Sequence, residues 1–253
     1  MNDMPTLSVN LNKVALLRNA RRAANSSVLQ AAAICLAEGA GGITVHPRPD
    51  ARHTRASDVV ELAELIRSTP TAEFNVEGNP TPGFLELVRD TKPTQCTLVP
   101  DPPDALTSDH GWDLDAHGRE LGPIVKQLRS AGIRVSVFLE PEPDHIEQAK
   151  ALGADRVELY TESYARAYGT ESEAHVLRRF AMAAEKAHEI GLGVNAGHDL
   201  SLDNLPAFCA AVAHVLEVSI GHALVSYSLE VGLQHAVRDY LRVLSSAERR
   251  ASG

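Results

Sequence analysis

The chain has 253 residues, 44% hydrophobic and 23% charged, with a formal net charge of −9. That is an ordinary globular composition, long enough for one large domain of the α/β-barrel size. The acidic balance argues against a nucleic-acid binder, and no apolar run approaches the roughly 18 residues that a membrane span needs.

The first residues, MNDMPTLSVN, lack a basic head followed by an apolar stretch, so no signal peptide is expected. Cys35, Cys96 and Cys209 are odd in number, far apart and in apolar surroundings. They read as free thiols in a reducing, cytoplasmic setting rather than as disulfides or metal ligands.

Short β-rich runs alternate with amphipathic segments along the whole chain. Strands are expected at 6–11, 42–46, 73–77, 95–99, 134–139, 156–159, 193–196 and 215–220. Helical patterns fall at 28–38, 57–68, 81–90, 114–131, 144–152, 173–190 and 205–212, with a last helix from 223 to about 249. Gly39, Gly132, Gly153 and Gly191 each close a helix shortly before a strand, where glycine takes the left-handed cap. Eight such units predict a parallel sheet with right-handed crossovers, closed as a (β/α)8 TIM barrel of one domain. An open doubly wound sheet is the second choice, and the first β–α turn lacks the GxGxxG that would favour it. Two long loops, 100–113 and 160–172, read as lids or binding segments.

In such a barrel the active site lies at the C-terminal ends of the strands. There this sequence places Asn10, Asn12, Lys13, Arg18 and Arg21 after strand 1, then His46, Arg48 and His53 after strand 2. Glu77 follows strand 3, Thr107 strand 4 and Glu140 strand 5, while Glu158 lies within strand 6. Strand 7 leads to Asn195, Gly197, His198 and Asp199, and strand 8 to Gly221 and His222. Pro47 and Pro49 stiffen the basic loop GITVHPRPDARHTR. Glu77 ends the run Phe74-Asn75-Val76 and should be partly desolvated, so its pKa should rise and suit it to general base work, with a salt bridge to Arg48 as its other reading. Gly197 and Gly221 stand where such barrels hold a phosphate on backbone N–H groups. A metal centre is not expected, because there is no His-x-His pair and Arg48 stands where a second ligand would be.

At VNLNKVALLRNAR, GITVHPRPDARH, NVE, LVP, VELYTESYA, VNAGHDL and SIGHAL the chain resembles the pyridoxine 5′-phosphate synthase family. The matching stretches run in order from residue 9 to residue 224. The resemblance implies condensation of 1-deoxy-D-xylulose 5-phosphate with 3-amino-2-oxopropyl phosphate, releasing phosphate and water, with no cofactor or metal and in a homo-octamer. It places His46, Glu77 and His198 on acid–base positions and Glu158 on the position that stabilises the transition state. By the same resemblance Asn10, Arg21, Gly221, His222 and Asp199 contact the amino-ketone phosphate, Asp199 through its backbone N–H. Arg48, His53 and Thr107 contact the deoxyxylulose phosphate. The chain carries Asn12-Lys13 where many members have Asp-His, and Asp199 where they have Gly. Two other readings stay open: a class I aldolase-like enzyme forming a Schiff base on Lys13, and a non-catalytic barrel that binds sugar phosphates.

Overall fold

The computed structural model describes residues 4–21, 27–102 and 108–251. Eight parallel strands, β1 (Thr6–Asn10), β2 (Gly42–Val45), β3 (Glu73–Gly78), β4 (Gln95–Leu98), β5 (Arg134–Leu139), β6 (Arg156–Tyr160), β7 (Gly193–Gly197) and β8 (Val215–Ile220), close into a barrel in sequence order. β1 completes the ring by pairing with β8, Val9 opposite Ile220. Every strand lies within two residues of its expected bounds.

The crossover helices are α2 (Val28–Ala37), α3 (Ala56–Arg67), α4 (Pro82–Thr91), α5 (Leu114–Ser130), α6 (Pro143–Leu152), α8 (Glu173–Glu189) and α9 (Leu205–Ala211). Side chains start several of them: Ser27 accepts from the Gln30 N–H, Thr81 from Phe84 and Asp113 from Ala116. Gly39, Gly132, Gly153 and Gly191 all have φ between +67° and +100°, the backbone that each helix-to-strand turn demands.

The helices differ from the expected helical patterns at three points. α1 (Asn12–Asn19) precedes α2, and α7 (Glu162–Ala167) fills much of the segment expected to be the loop 160–172. The single C-terminal helix is instead two, α10 (His222–Val231) and α11 (Leu233–Ala251), because Gly232 between them has φ +84°. Tyr227 Oη donates to Asp239 across that break. Cys35, Cys96 and Cys209 are free thiols; Cys209 is only partly buried.

Alternation along the strands divides the residues by chemistry. One face, including Val9, Ile43, Val76, Leu98, Val137 and Leu159, joins the helices in the apolar core. The other carries buried polar side chains: Ser8, Thr44, Asn75, Thr97, Ser136, Glu158, Asn195 and Ser219. Barrel interiors are commonly filled by branched aliphatic residues. Here hydrogen bonds link them instead, Ser8 to Thr44 at 2.7 Å and Thr97 to Asn75 at 3.0 Å. A separate apolar cluster, Val99, Phe138 and Tyr160, sits at the strands' C-terminal ends.

Candidate active site

A cavity of about 570 Å³ opens at the C-terminal ends of the strands. Asn10, Asn12, Lys13, His46, Arg48, His53, Glu77, His198, Asp199, Gly221 and His222 all line it. Glu158 lies fully buried beneath, next to His198. Thr107 lies outside the described residues. Arg21 is exposed just past α1 and does not line the cavity.

The β2 side is held by α1. Asn12 Oδ1 accepts from the His46 N–H at 2.8 Å and from Thr54 Oγ1 at 2.9 Å, fixing the turn out of β2. Asn19 Nδ2 donates to the carbonyls of Ala51, Arg52 and His53. Arg18 pairs with Asp58 and donates to the His53 carbonyl, so it braces the loop rather than facing the cavity. Arg48 is buried and ion-paired at 2.5 Å to Asp101, which also accepts from Ser108 Oγ at 2.6 Å. The expected alternative pairing of Glu77 with Arg48 is thus replaced: the chain just past β4 brings its own carboxylate to Arg48.

Two rings on this side are kept neutral. Burial and the charges of Arg48, His53, His198 and Arg52 hold His46 well below the ordinary histidine pKa. Burial, Arg48, Lys13 and Arg52 push His53 down to about 4. His53 Nδ1 accepts from the Thr54 N–H at 2.9 Å. That contact leaves the ring proton on Nε2 as a donor.

The opposite side is acidic. Glu77 is 1% exposed; Oε2 accepts from Asn10 Nδ2 at 3.3 Å, and Oε1 has no hydrogen-bond partner. Burial, then Glu158, Glu217 and Asp101, push its pKa up to about 8 against the opposing pull of His198. At neutral pH this carboxyl therefore holds its proton. Glu158 Oε1 lies 3.3 Å from His198 Nδ1, at ion-pair distance but off hydrogen-bond alignment. Burial opposes the imidazolium of His198; Glu158, Glu77 and Asp199 outweigh it and push the ring up to about 9. The ring packs on Phe138 at 4.7 Å, and its backbone has φ +88°, a strained setting for a residue with a side chain.

Gly197 is needed beside this pair, since a Cβ there would lie 2.7 Å from the Ser219 carbonyl and 2.9 Å from Glu158 Oε1. At Gly221 a Cβ would press on Asn10 at 3.0 Å. Gly221 caps α10 without a side-chain bond, and Gly221, His222 and Ala223 line the cavity, so the first turn of α10 offers N–H groups to an anion. The backbone N–H of Asp199, expected to serve a ligand, donates instead to Thr161 Oγ1 at 3.3 Å. Partial desolvation of its carboxyl group and the nearby Glu162 raise its side-chain pKa.

Sequence reasoning did not select Tyr160, Glu162, Ser108 or Asp101. Tyr160 was open to discovery, being two residues past Glu158 on the same strand face. Asn195 lies below the cavity, accepting from Arg156 and donating to Gln95. Glu140 does not line the cavity; burial raises its pKa. Among the described residues, no cluster of three or more His, Cys, Asp or Glu could hold a metal ion.

The profile of one protein family, described as pyridoxal phosphate biosynthesis protein PdxJ, matches residues 7–246. A pyridoxine 5′-phosphate synthase of Albidiferax ferrireducens is 51% identical over 244 residues, covering 94% of this chain and 97% of its own. One of Bacteroides thetaiotaomicron is 52% identical over 241 residues, covering 95% and 100%. Solved structures share the fold at low identity. A 3-keto-L-gulonate-6-phosphate decarboxylase of Vibrio cholerae superposes with a TM-score of 0.62 at 11% identity, over 95% of this chain and 97% of its own. A 4-hydroxy-2-oxoglutarate aldolase gives 0.60 at 16%, over 94% of each.

Proposed function

The chain belongs to the family of pyridoxal phosphate biosynthesis protein PdxJ, and on that premise we propose that it is a pyridoxine 5′-phosphate synthase. It would join 1-deoxy-D-xylulose 5-phosphate to 3-amino-2-oxopropyl phosphate, releasing inorganic phosphate and water. The observation that carries the reading is one cavity that brings His46, Glu77 and His198 together, with burial and neighbouring charges that push His46 toward the neutral ring, Glu77 toward the acid and His198 toward the imidazolium.

Each step of an amine–ketone condensation, a phosphate loss and a dehydrating ring closure moves protons. His46, kept neutral, accepts one. Glu77 starts protonated, donates to a departing oxygen, and then as a carboxylate removes a carbon-bound proton. His198 donates from its imidazolium, and Glu158 balances that charge. Arg48 and the Nε2–H of His53 face one phosphate, and the first turn of α10 the other. Asn10 orients Glu77. Lys13, exposed at the rim, adds a point charge toward substrate oxygens. The aldolase-like alternative asks more of Lys13, because the amino ketone supplies the only amine the reaction needs. The phosphate assignments, the contacts of Arg21 and Thr107, the homo-octamer, the cytoplasmic setting and the lack of a cofactor belong to the same proposal. No described helix is long and apolar enough to cross a membrane.

The test is turnover with both substrates, following pyridoxine 5′-phosphate and released phosphate together. Equal amounts of the two are expected. Phosphate release without ring formation, or no turnover by the folded protein, would reject the proposal.

A further inference from the structure

Below the catalytic layer, the barrel interior carries a belt of charge that the reaction as described leaves unused. Arg134 pairs with Glu73 and donates to Gln95 at 2.9 Å. Gln95 accepts from Asn195 at 3.3 Å, and Asn195 accepts from Arg156 at 3.0 Å. Arg156 reaches Glu217 at 3.5 Å. Glu217 is 2% exposed, its nearest cation is already shared with Asn195, and its Oε1 has no partner.

Strand register sets Glu217 close to the catalytic groups. Asn195 is paired with Glu158 on β6 and with Glu217 on β8, so the two carboxylates flank one residue on the interior face. The charged groups that act on Glu217 are Arg156 and Glu158 from β6, Glu73 and Glu77 from β3, and Arg134 from β5. β1, paired directly with β8, brings only Thr6 and Ser8 beside it.

With His198 included, three buried carboxylates (Glu77, Glu158 and Glu217) share this interior with two cations (Arg156 and His198), while Glu73 and Arg134 pair with each other where both are partly exposed. An unbalanced negative charge in a low-dielectric interior is costly, so the excess is relieved by retaining a proton. We infer that Glu217, which touches no substrate, is a positioning residue: its buried carboxylate adds to the burial and to the Glu158 charge that keep Glu77 protonated at the start of the reaction. The inference rests on the acid–base reading of Glu77 proposed above. The sequence signal was available, since Glu217 and Ser219 alternate with Val218 and Ile220 as Glu158 alternates with its apolar neighbours.

The test reads protonation without turnover. Infrared spectra of the ligand-free protein should show buried carboxylic acid carbonyls titrating away in two steps, near the values of about 7 for Glu217 and about 8 for Glu77. Glu217→Gln is expected to remove one step and move the other down by about one unit, the scale of a like charge across a protein interior. The alkaline limb of kcat/KM, where the proton on Glu77 is lost, should move down by the same amount with KM little changed, and Glu217→Asp should restore it. Only the later step reports the coupling, because Glu77 is still uncharged when Glu217 titrates; Glu217→Leu, which also removes the charge, keeps the idea testable if Glu217→Gln does not fold. A Glu77 step that stays in place in Glu217→Gln or in Glu217→Leu, or an Asp variant that behaves like Gln, would overturn it. Absent turnover with these infrared shifts intact would instead count against the proposed reaction alone.

Discussion

On the β1–β2 side of the cavity, His46 and His53 sit among Arg48, Arg52 and Lys13, and both rings are neutral. On the β6–β7 side, His198 sits among Glu158, Glu77 and Asp199, and its ring is cationic up to about pH 9. Burial works against the imidazolium on both sides, so burial cannot be what separates them. The neighbouring charges decide: arginines leave a histidine free to accept a proton, and carboxylates load one that can donate. The two sides also differ in how completely they are bonded. The basic loop is braced by Arg18, Asn19, Asn12 and Asp101, where one Asp101 oxygen is left without a partner, whereas the acidic side leaves oxygens of three carboxylates, Glu77, Glu158 and Glu217, without hydrogen bonds. One side is a fixed frame, and the other holds groups whose protonation can change.

Removing the key group of the acidic side should have the largest effect. Glu77→Gln is expected to keep the fold and the two phosphate sites proposed above, and should cost about 10²–10⁴ in rate, the usual value of a general base. Near-normal turnover by the folded variant would break the contrast between the sides. On the basic side, Arg48→Ala leaves Asp101 buried without its cation, which typically costs about 3–5 kcal/mol of stability. The double variant Arg48→Ala/Asp101→Ala should recover much of that loss in chemical denaturation. In calorimetry the double variant should still bind deoxyxylulose phosphate more weakly by about 1.5–3 kcal/mol, with the amino-ketone phosphate little affected. Equal losses for both ligands would make Arg48 a support for the whole mouth.

The sides also predict opposite responses of stability to pH. Glu217 at about 7 and Glu77 at about 8 both lie above the ordinary value of 4.5. Their contribution is full below that ordinary value and is lost as pH rises through 7 and 8, and His198 extends the loss toward 9. His53, lowered from 6.5 to about 4, acts the other way: its contribution is present above 6.5 and lost as pH falls through 4. Thermal melts of Glu77→Gln should therefore gain on the parent protein as pH rises through 8, with the gap closing toward acid. A gap independent of pH would refute the assignment of that proton. The smallest effect concerns Lys13. Lys13→Arg should retain part of the activity, since charge survives while reach changes. Borohydride with deoxyxylulose phosphate should leave the protein mass unchanged; an adduct on Lys13 would favour the aldolase-like enzyme.

The barrel was legible because its signals are local. Period-two apolar runs and the glycines at 39, 132, 153 and 191 mark each unit without reference to the rest of the chain. Polar residues at strand ends located the mouth, and His46, Glu77 and His198 meet there as expected. What escaped notice depends on pairing across the barrel. Asp101 matters only because folding sets it against Arg48, and nothing between residues 48 and 101 announces that contact. The N–H of Asp199 was expected to face a ligand, but Thr161 from the neighbouring strand's end takes it. α1 and α7 are short, 8 and 6 residues, and too brief for periodicity to reveal. Gly232 divides the last two helices by a single backbone angle, in a stretch whose apolar spacing reads as continuous.

The pairing of β1 with β8 has a consequence for how the chain reaches this state. About 200 residues separate the two strands, so the outer edge of β1 finds its partner only after the rest of the barrel has been made. At a synthesis rate of about 5–20 residues per second, that edge waits roughly 10 to 40 seconds on the ribosome. Closure by so distant a contact is slow even for the completed chain. During that interval the unpaired N–H and C=O groups of Thr6–Asn10 are a template for any passing strand, including one from a second nascent chain. The ring that leaves the finished protein without a sheet edge thus exposes its first strand for longest, and the yield of folded protein should be most sensitive to temperature and crowding in that window.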